Sequence, residues 1–191
     1  MIRNIDFAIL DWIQAHLRCG FLDWIMPKIT FLASEGILWI FLAVVFLFFK
    51  NYRRCGISMG VGMFSGVVIG NFLLKNLVRR ARPCWINTSV VLLVKNPSDY
   101  SFPSGHTLAS FIAATVIFHY HRRLGVAAYI VATLIALSRL YLYVHFPTDV
   151  LVGVLLGIGL GVTASVLLDR FLFGRLDAKK GKTETSESAE N

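Results

Sequence analysis

An all-α integral membrane bundle is the fold class this sequence predicts, and three observations carry it. Apolar runs long enough to cross a bilayer recur along the chain. Hydrophobic residues make up 56% and charged ones 16% of 191 residues, against about 25% charged in a soluble domain, and the mean hydropathy is +0.66. Two of the apolar runs also carry glycine at every fourth position. The length suits a single domain, expected over residues 1–175, with 176–191 as a polar, disordered tail.

The elements follow in chain order. Ile5, Ile9, Trp12 and Ile13 share a helical face opposite Arg3, Gln14 and Arg18, the spacing of a short helix lying in the membrane interface or of an ordinary packing helix. Asp6 and Asp11 interrupt this stretch too early for a signal peptide. A span needs about 20 apolar residues to cross roughly 30 Å of hydrocarbon. Residues 57–78 and 150–168 meet that requirement, 106–120 and 124–144 flank the polar break at 121–123, and 21–34 and 37–49 are shorter or carry charge. Six transmembrane helices are therefore expected. Gly62, Gly66 and Gly70, and Gly153, Gly157 and Gly161, predict close helix packing in lipid. Cys19, Cys55 and Cys84 fit no disulfide framework and are read as free thiols.

The formal net charge is +8, but its cations interrupt apolar runs instead of forming one soluble stripe, which points to a membrane and not to nucleic acid. Six spans would put both termini on one side. Arg3, Arg18, Lys50, Arg53, Arg54, Arg122, Arg123 and the basic tail then fall together, and that side is expected to be cytoplasmic. Lys75, Arg79, Arg80, Arg82, Lys95 and Arg139 fall on the opposite, external face and need another explanation.

That explanation is a site for phosphate. Ionisable residues at span ends are costly unless they face a cavity. Lys75, Arg79 and Arg82 are spaced i, i+4, i+7, as on one helix face, with Pro83 ending the helix; a snorkelling cationic belt is the alternative. Pro103, Ser104, Gly105 and His106 precede an apolar run, and a capped helix start with a close-approaching glycine offers N–H groups to an anion. His106 adds a titratable group there. Arg139, His145 and Asp149 flank the start of the last span, where a carboxylate near an imidazole would orient a nucleophile or base, although acidic residues favour helix N-termini in any case.

The set Lys75-x6-Arg82-Pro83, Pro103-Ser104-Gly105-His106 and Ser138-Arg139-x5-His145-x3-Asp149 resembles the three-part signature of the type 2 phosphatidic acid phosphatase superfamily. The family includes lipid phosphate phosphatases, glucose-6-phosphatase and vanadium haloperoxidases. The resemblance implies a metal-free and cofactor-free membrane phosphatase. In it Lys75, Arg82, Ser104, Gly105 and Arg139 bind phosphoryl oxygens, His145 attacks phosphorus with Asp149 holding its other nitrogen, and His106 protonates the leaving group. Arg79 is expected to be interfacial, and His16, His119 and His121 structural on the cytoplasmic side. Few external carboxylates, Glu35, Asp99 and Asp149, are available for a metal. The expected protein is a multi-pass protein of the cytoplasmic membrane with an outward-facing site. Its expected substrate is a membrane lipid phosphate, best undecaprenyl diphosphate. The alternatives are phosphatidylglycerophosphate, phosphatidate, phosphoryl transfer to another acceptor, or a lipid-binding or transport bundle without turnover.

Overall fold

The computed structural model describes residues 2–32 and 34–177, which are mostly helical with no strand among them. The expected tail, with Lys179, Lys180 and Lys182, lies outside the described residues from 178 onward. The helices are α1 (Ile2–His16), α2 (Gly20–Leu32), α3 (Ile37–Phe48) and α4, which starts as Arg53–Gly66 and continues through a π-helical stretch, Val67–Leu74, into Lys75–Val78. After the short α5 (Pro83–Ile86) and a long loop come α6 (Gly105–Tyr120), α7 (Arg122–Tyr141) and α8 (Pro147–Leu168).

The glycine pattern explains the centre of the bundle. A Cβ on Gly62, Gly66 or Gly70 of α4 would lie 2.4–2.8 Å from Ile112 or Leu108 of α6, and one on Gly157 or Gly161 of α8 would lie 2.7 Å from Phe111 or Thr115. Helix α6 is thus gripped between two glycine stripes and is buried along most of its length, with Ile112, Ala113, Ala114 and Val116 fully inaccessible. Because α6 meets protein on its sides, it tolerates Thr107, Ser110 and Thr115 and needs only 16 residues. Its first turn is fixed where both stripes bring it.

Three stretches are long and apolar enough to cross a membrane, Arg53–Ile86, Arg122–Tyr141 and Pro147–Asp177. A fourth is made if α2 and α3, bent by 46° at their junction, count as one broken span. Six were expected; the described residues offer three, or four with the bent pair, by length and composition. Residues 21–34 and 37–49 do not fold back on each other as two antiparallel spans; Gly36 takes the left-handed conformation at φ 72° between them, and the chain continues past a bend.

The ends of the bundle are correspondingly rearranged. Counting the bent pair once and adding α6, whose 16 residues fall short of a full span, the chain runs along the bundle by α2/α3, α4, α6, α7 and α8, an odd number of passes. Helix α1 therefore lies at the end that carries Arg80, Tyr141 and Thr148, whereas Asp177 pairs with Arg54 at the other. Arg3, Arg18 and His16, expected beside Arg53 and Arg54, are instead carried by α1 and its C-terminal turn at the Arg80 end. Arg18 there donates to the Val91 carbonyl at 3.2 Å.

Candidate active site

Pro83 and the preceding loop decide the first part of the site. Helix α4 ends at Val78, and Arg79 caps it in the left-handed conformation at φ 48°. Arg82 is extended, just ahead of Pro83 at the first position of α5. Lys75, Arg79 and Arg82 therefore do not share a helix face, which corrects the spacing argument. Lys75 and Arg82 meet because the chain turns back between them, and Arg79 is left exposed.

Both cations converge on Asp99 of the long loop. Lys75 pairs with its Oδ2, Arg82 Nη2 donates to Oδ1 at 2.7 Å and Arg82 Nε donates to its backbone oxygen at 2.7 Å. Burial alone would raise the Asp99 carboxyl, but Lys75 and Arg82 outweigh it and hold the group at about 2.

His145 sits in the turn between α7 and α8 and is 1% exposed. The turn depends on Tyr143, which adopts φ 59°, a left-handed conformation costing a non-glycine residue about 1–2 kcal/mol. Its ring is fully buried against Leu10 of α1, and its hydroxyl donates to Asp11 at 2.7 Å, which offsets that cost. His145 Nδ1 lies 2.8 Å from the Ser101 carbonyl, an oxygen that can only accept, so Nδ1 carries the proton and Nε2 the lone pair. Arg82 Nη1 donates to that Nε2 at 3.0 Å. Burial, opposed by Asp149 and reinforced by Arg82, pushes the imidazole down to about 3.

Asp149 is fully buried and its Oδ2 pairs with His145 Nδ1 at 3.7 Å, longer than a hydrogen bond. The expected contact is taken by the Ser101 backbone. Asp149 Oδ2 accepts from Ser101 Oγ at 2.5 Å and from the Phe146 N–H at 3.0 Å, capping α8, while Oδ1 accepts from Arg80 at 2.6 Å. Three donors satisfy a carboxylate that would otherwise be too costly to bury.

Arg139 is 6% exposed, its Nη1 donates to Thr30, and its buried Nε has no partner among the described residues. A buried guanidinium with a free donor is what an anion would complete. Lys75, Arg82, Asp99, Gly105, His106, Arg139 and His145 all line one cavity of about 1340 Å³. From this charged mouth it runs on between α3 and α4 past Ile40, Val44, Met63 and Phe64 to Leu47 and Gly56.

Ser104 departs from expectation. Its N–H donates to the Asp149 carbonyl at 3.2 Å and is therefore committed, while its hydroxyl lies 2.9 Å from that of Thr107. The first bond of α6 is from the Leu108 N–H to the Ser104 carbonyl, so the Gly105 and His106 N–H groups precede the ladder and remain as anion donors. Sequence reasoning missed Asp6, Arg80, Asp99 and Ser101. Arg80 reads from the sequence as an external cation and Asp99 as an external carboxylate, with neither assigned a place in the site.

A buried imidazole with its lone pair in a cationic, partly apolar cavity of a helical membrane bundle defines a class, an enzyme that handles an anionic group on an apolar substrate. The comparisons are more specific. The PAP2 superfamily pattern matches residues 55–172. The chain is 34% identical over 131 residues to an undecaprenyl-diphosphatase of Sulfolobus acidocaldarius, a match covering 67% of this chain and 63% of that protein's length. It is 35% identical over 144 residues to a decaprenylphosphoryl-5-phosphoribose phosphatase of Mycobacterium tuberculosis, covering 74% and 76% of the two chains. The fold resembles the crystal structure of a transmembrane PAP2-type phosphatidylglycerolphosphate phosphatase from Bacillus subtilis, with a TM-score of 0.73 and 26% identity over 89% of this chain and 87% of that one. The chain belongs to the PAP2 superfamily, and within it sits among the lipid phosphatases.

Proposed function

We propose that the chain removes phosphate from a polyprenyl phosphate or diphosphate through a phosphohistidine on His145. The observation that carries this reading is the Nδ1–H tautomer of His145, set by the Ser101 carbonyl, which makes Nε2 the nucleophile once an incoming phosphoryl group draws the Arg82 Nη1 donor off its lone pair. Lys75, Arg82, Arg139 and the Gly105 and His106 N–H groups would hold the phosphoryl oxygens and stabilise the charge that develops on them. Nε2 attacks phosphorus, the bond to the lipid-side oxygen breaks, and His106 supplies the proton that oxygen takes. His106 then takes a proton from water, the water attacks the phosphohistidine, and inorganic phosphate leaves with His145 restored. Ser104 acts by fixing the start of α6 to Asp149, and the chemistry needs no metal or other cofactor.

Two features support a polyprenyl chain. Two of the relatives named above are, by their names, an undecaprenyl-diphosphatase and a phosphatase of decaprenylphosphoryl-5-phosphoribose, both with polyprenyl substrates, and the cavity continues from the charged mouth past apolar side chains between α3 and α4. Undecaprenyl diphosphate remains the first substrate to try, and the likeness to the B. subtilis enzyme makes phosphatidylglycerophosphate the second. The exposed Ile5, Ile9 and Trp12 on the outer face of α1 support a helix seated at the lipid interface. Exposed Lys50, Arg53, Arg122, Arg123, Arg170 and Arg175 at the far end support placing that end in the cytoplasm and the site outside, in a multi-pass protein of the cytoplasmic membrane.

Purified protein in detergent with excess EDTA should release phosphate from one of undecaprenyl diphosphate, phosphatidylglycerophosphate and phosphatidate, and His145→Ala should release none. Substantial activity in His145→Ala, or a requirement for added magnesium, would refute the mechanism.

A further inference from the structure

We propose that Arg80 and Asp6 are positioning residues for the His145–Asp149 pair, and that α1 is the strap that delivers Asp6 to them. The inference rests on the phosphatase reading above and deepens it.

The geometry is a chain of three charges, two buried carboxylates joined by a partly buried arginine. Asp149 Oδ1 accepts from Arg80 Nη1 at 2.6 Å, and Arg80 Nη2 donates to Asp6 Oδ2 at 2.5 Å. Asp6 is 1% exposed although it lies on a helix at the surface. Both of its oxygens are committed to the start of α8, Oδ1 to the Thr148 N–H at 3.1 Å and Oδ2 to the Thr148 hydroxyl at 2.7 Å. The Arg80 guanidinium is further held over the Phe146 ring, 4.0 Å from its centroid. Around these contacts α1 covers the whole turn that carries His145: Phe7 meets Phe146 edge-on at 5.1 Å, Asp11 takes the Tyr143 hydroxyl, and Gln14 donates to the Tyr141 carbonyl at 2.8 Å.

The charges explain why a carboxylate is placed there. Arg80 alone would neutralise Asp149 and leave His145 facing Arg82 and Arg139 with no net negative charge behind it. Asp6 neutralises Arg80, so the triad carries one net negative charge on the Asp149 side of the imidazole. That charge favours the imidazole as it gains positive character on bonding to phosphorus. A buried ion triad is weak support for stability in itself, since apolar replacements of similar volume often match it. Its placement against the Asp149 carboxylate gives it a use in positioning. Lys75, Arg82, Asp99, Arg139 and His106 are the other charged or titratable groups facing His145 across the cavity, and none of them touches Asp6.

The test compares wild type, Asp6→Asn, Arg80→Ala and the double variant on whichever lipid of the panel the wild type hydrolyses, with kcat, KM and thermal midpoint measured for each. Asn is nearly isosteric and removes the charge, while also turning one of the two accepting oxygens into a donor. Asp6→Asn should lower kcat about tenfold and Arg80→Ala about a hundredfold, by analogy with the loss when the partner that orients a metal-binding histidine is removed. KM should stay within about twofold, and the kcat losses should persist at temperatures well below the midpoint of every variant, whatever stability Asp6→Asn itself loses. The double variant should be no slower than Arg80→Ala, because the two residues act in series. A wild-type kcat in Asp6→Asn, additive losses, or a loss that follows the thermal midpoint would overturn the relay while leaving the phosphatase reading intact. A readout independent of turnover is the 15N spectrum of histidine-labelled protein, with His145 assigned from His145→Gln. Its ring resonances should move in Asp6→Asn, and unmoved resonances would overturn the relay even if no lipid of the panel were hydrolysed.

Discussion

Asp99 occupies the two cations that a phosphate should bind, and replacing it isolates that competition. In Asp99→Asn the fold has little to lose, since the side chain is 51% exposed. What disappears is the carboxylate charge facing Lys75 and Arg82, two ion pairs that a substrate must otherwise displace. Exposed pairs are each worth about 0.2–1 kcal/mol, so removing two should favour an incoming anion by about 0.5–2 kcal/mol, or roughly two- to thirtyfold. Orthovanadate, a mimic of five-coordinate phosphorus, is the suitable probe because its binding requires no turnover. Its inhibition constant should fall by that factor in Asp99→Asn. Asp99 is held at about 2, so it stays ionised and the gain should be constant from pH 6 to 8. The kcat should not rise, because the carboxylate is displaced before chemistry begins. Weaker vanadate binding in Asp99→Asn would refute the reasoning and show that Asp99 orients Arg82 for the phosphate instead of competing with it.

Other expectations can be checked separately. Asp149→Asn should keep the protein folded and slow phosphate release severely, and undiminished release would remove Asp149 from the site. His145 is held at about 3 in the folded protein against 6.5 when free, so the folded state excludes a proton that the unfolded chain accepts; stability present above pH 6.5 should be lost as the pH falls from there toward 3. The thermal midpoint should decline over that window, and less steeply in His145→Gln; equal slopes would show that His145 is not the group responsible. Gly157→Ala places a Cβ 2.7 Å from that of Phe111 and should destabilise by about 1–3 kcal/mol, whereas Gly159→Ala, with nothing within 4 Å, should be near neutral in a thermal shift assay. Cys55 and Cys84 are buried, so exposed Cys19 is the thiol that reports the side of the α1 end. An impermeant maleimide should label it in intact cells, and labelling only after lysis would put the site on the cytoplasmic side.

The membrane class, the glycine stripes and the three clusters were legible in the sequence because each is local. Apolar run length, a four-residue repeat and a short motif can be read without knowing what they pack against. The count of passes was not legible, since 21–34 and 37–49 are both apolar and only the backbone at Gly36 decides between a reversal and a 46° bend. One pass fewer moved α1 to the other end of the bundle, and with it Asp6. The tertiary structure also decided the finer roles. Asp149 reads as the partner of His145 from the four-residue spacing, yet the Ser101 carbonyl, 44 positions away in sequence, takes the Nδ1 proton and turns Asp149 toward Arg80. Ser104 reads as a phosphate donor, but the close approach of α8 to α6 commits its N–H to the Asp149 carbonyl. A residue type announces which chemistry it can perform. A hydrogen bond has one donor in one direction, and which neighbour receives it depends on elements brought together from distant parts of the chain.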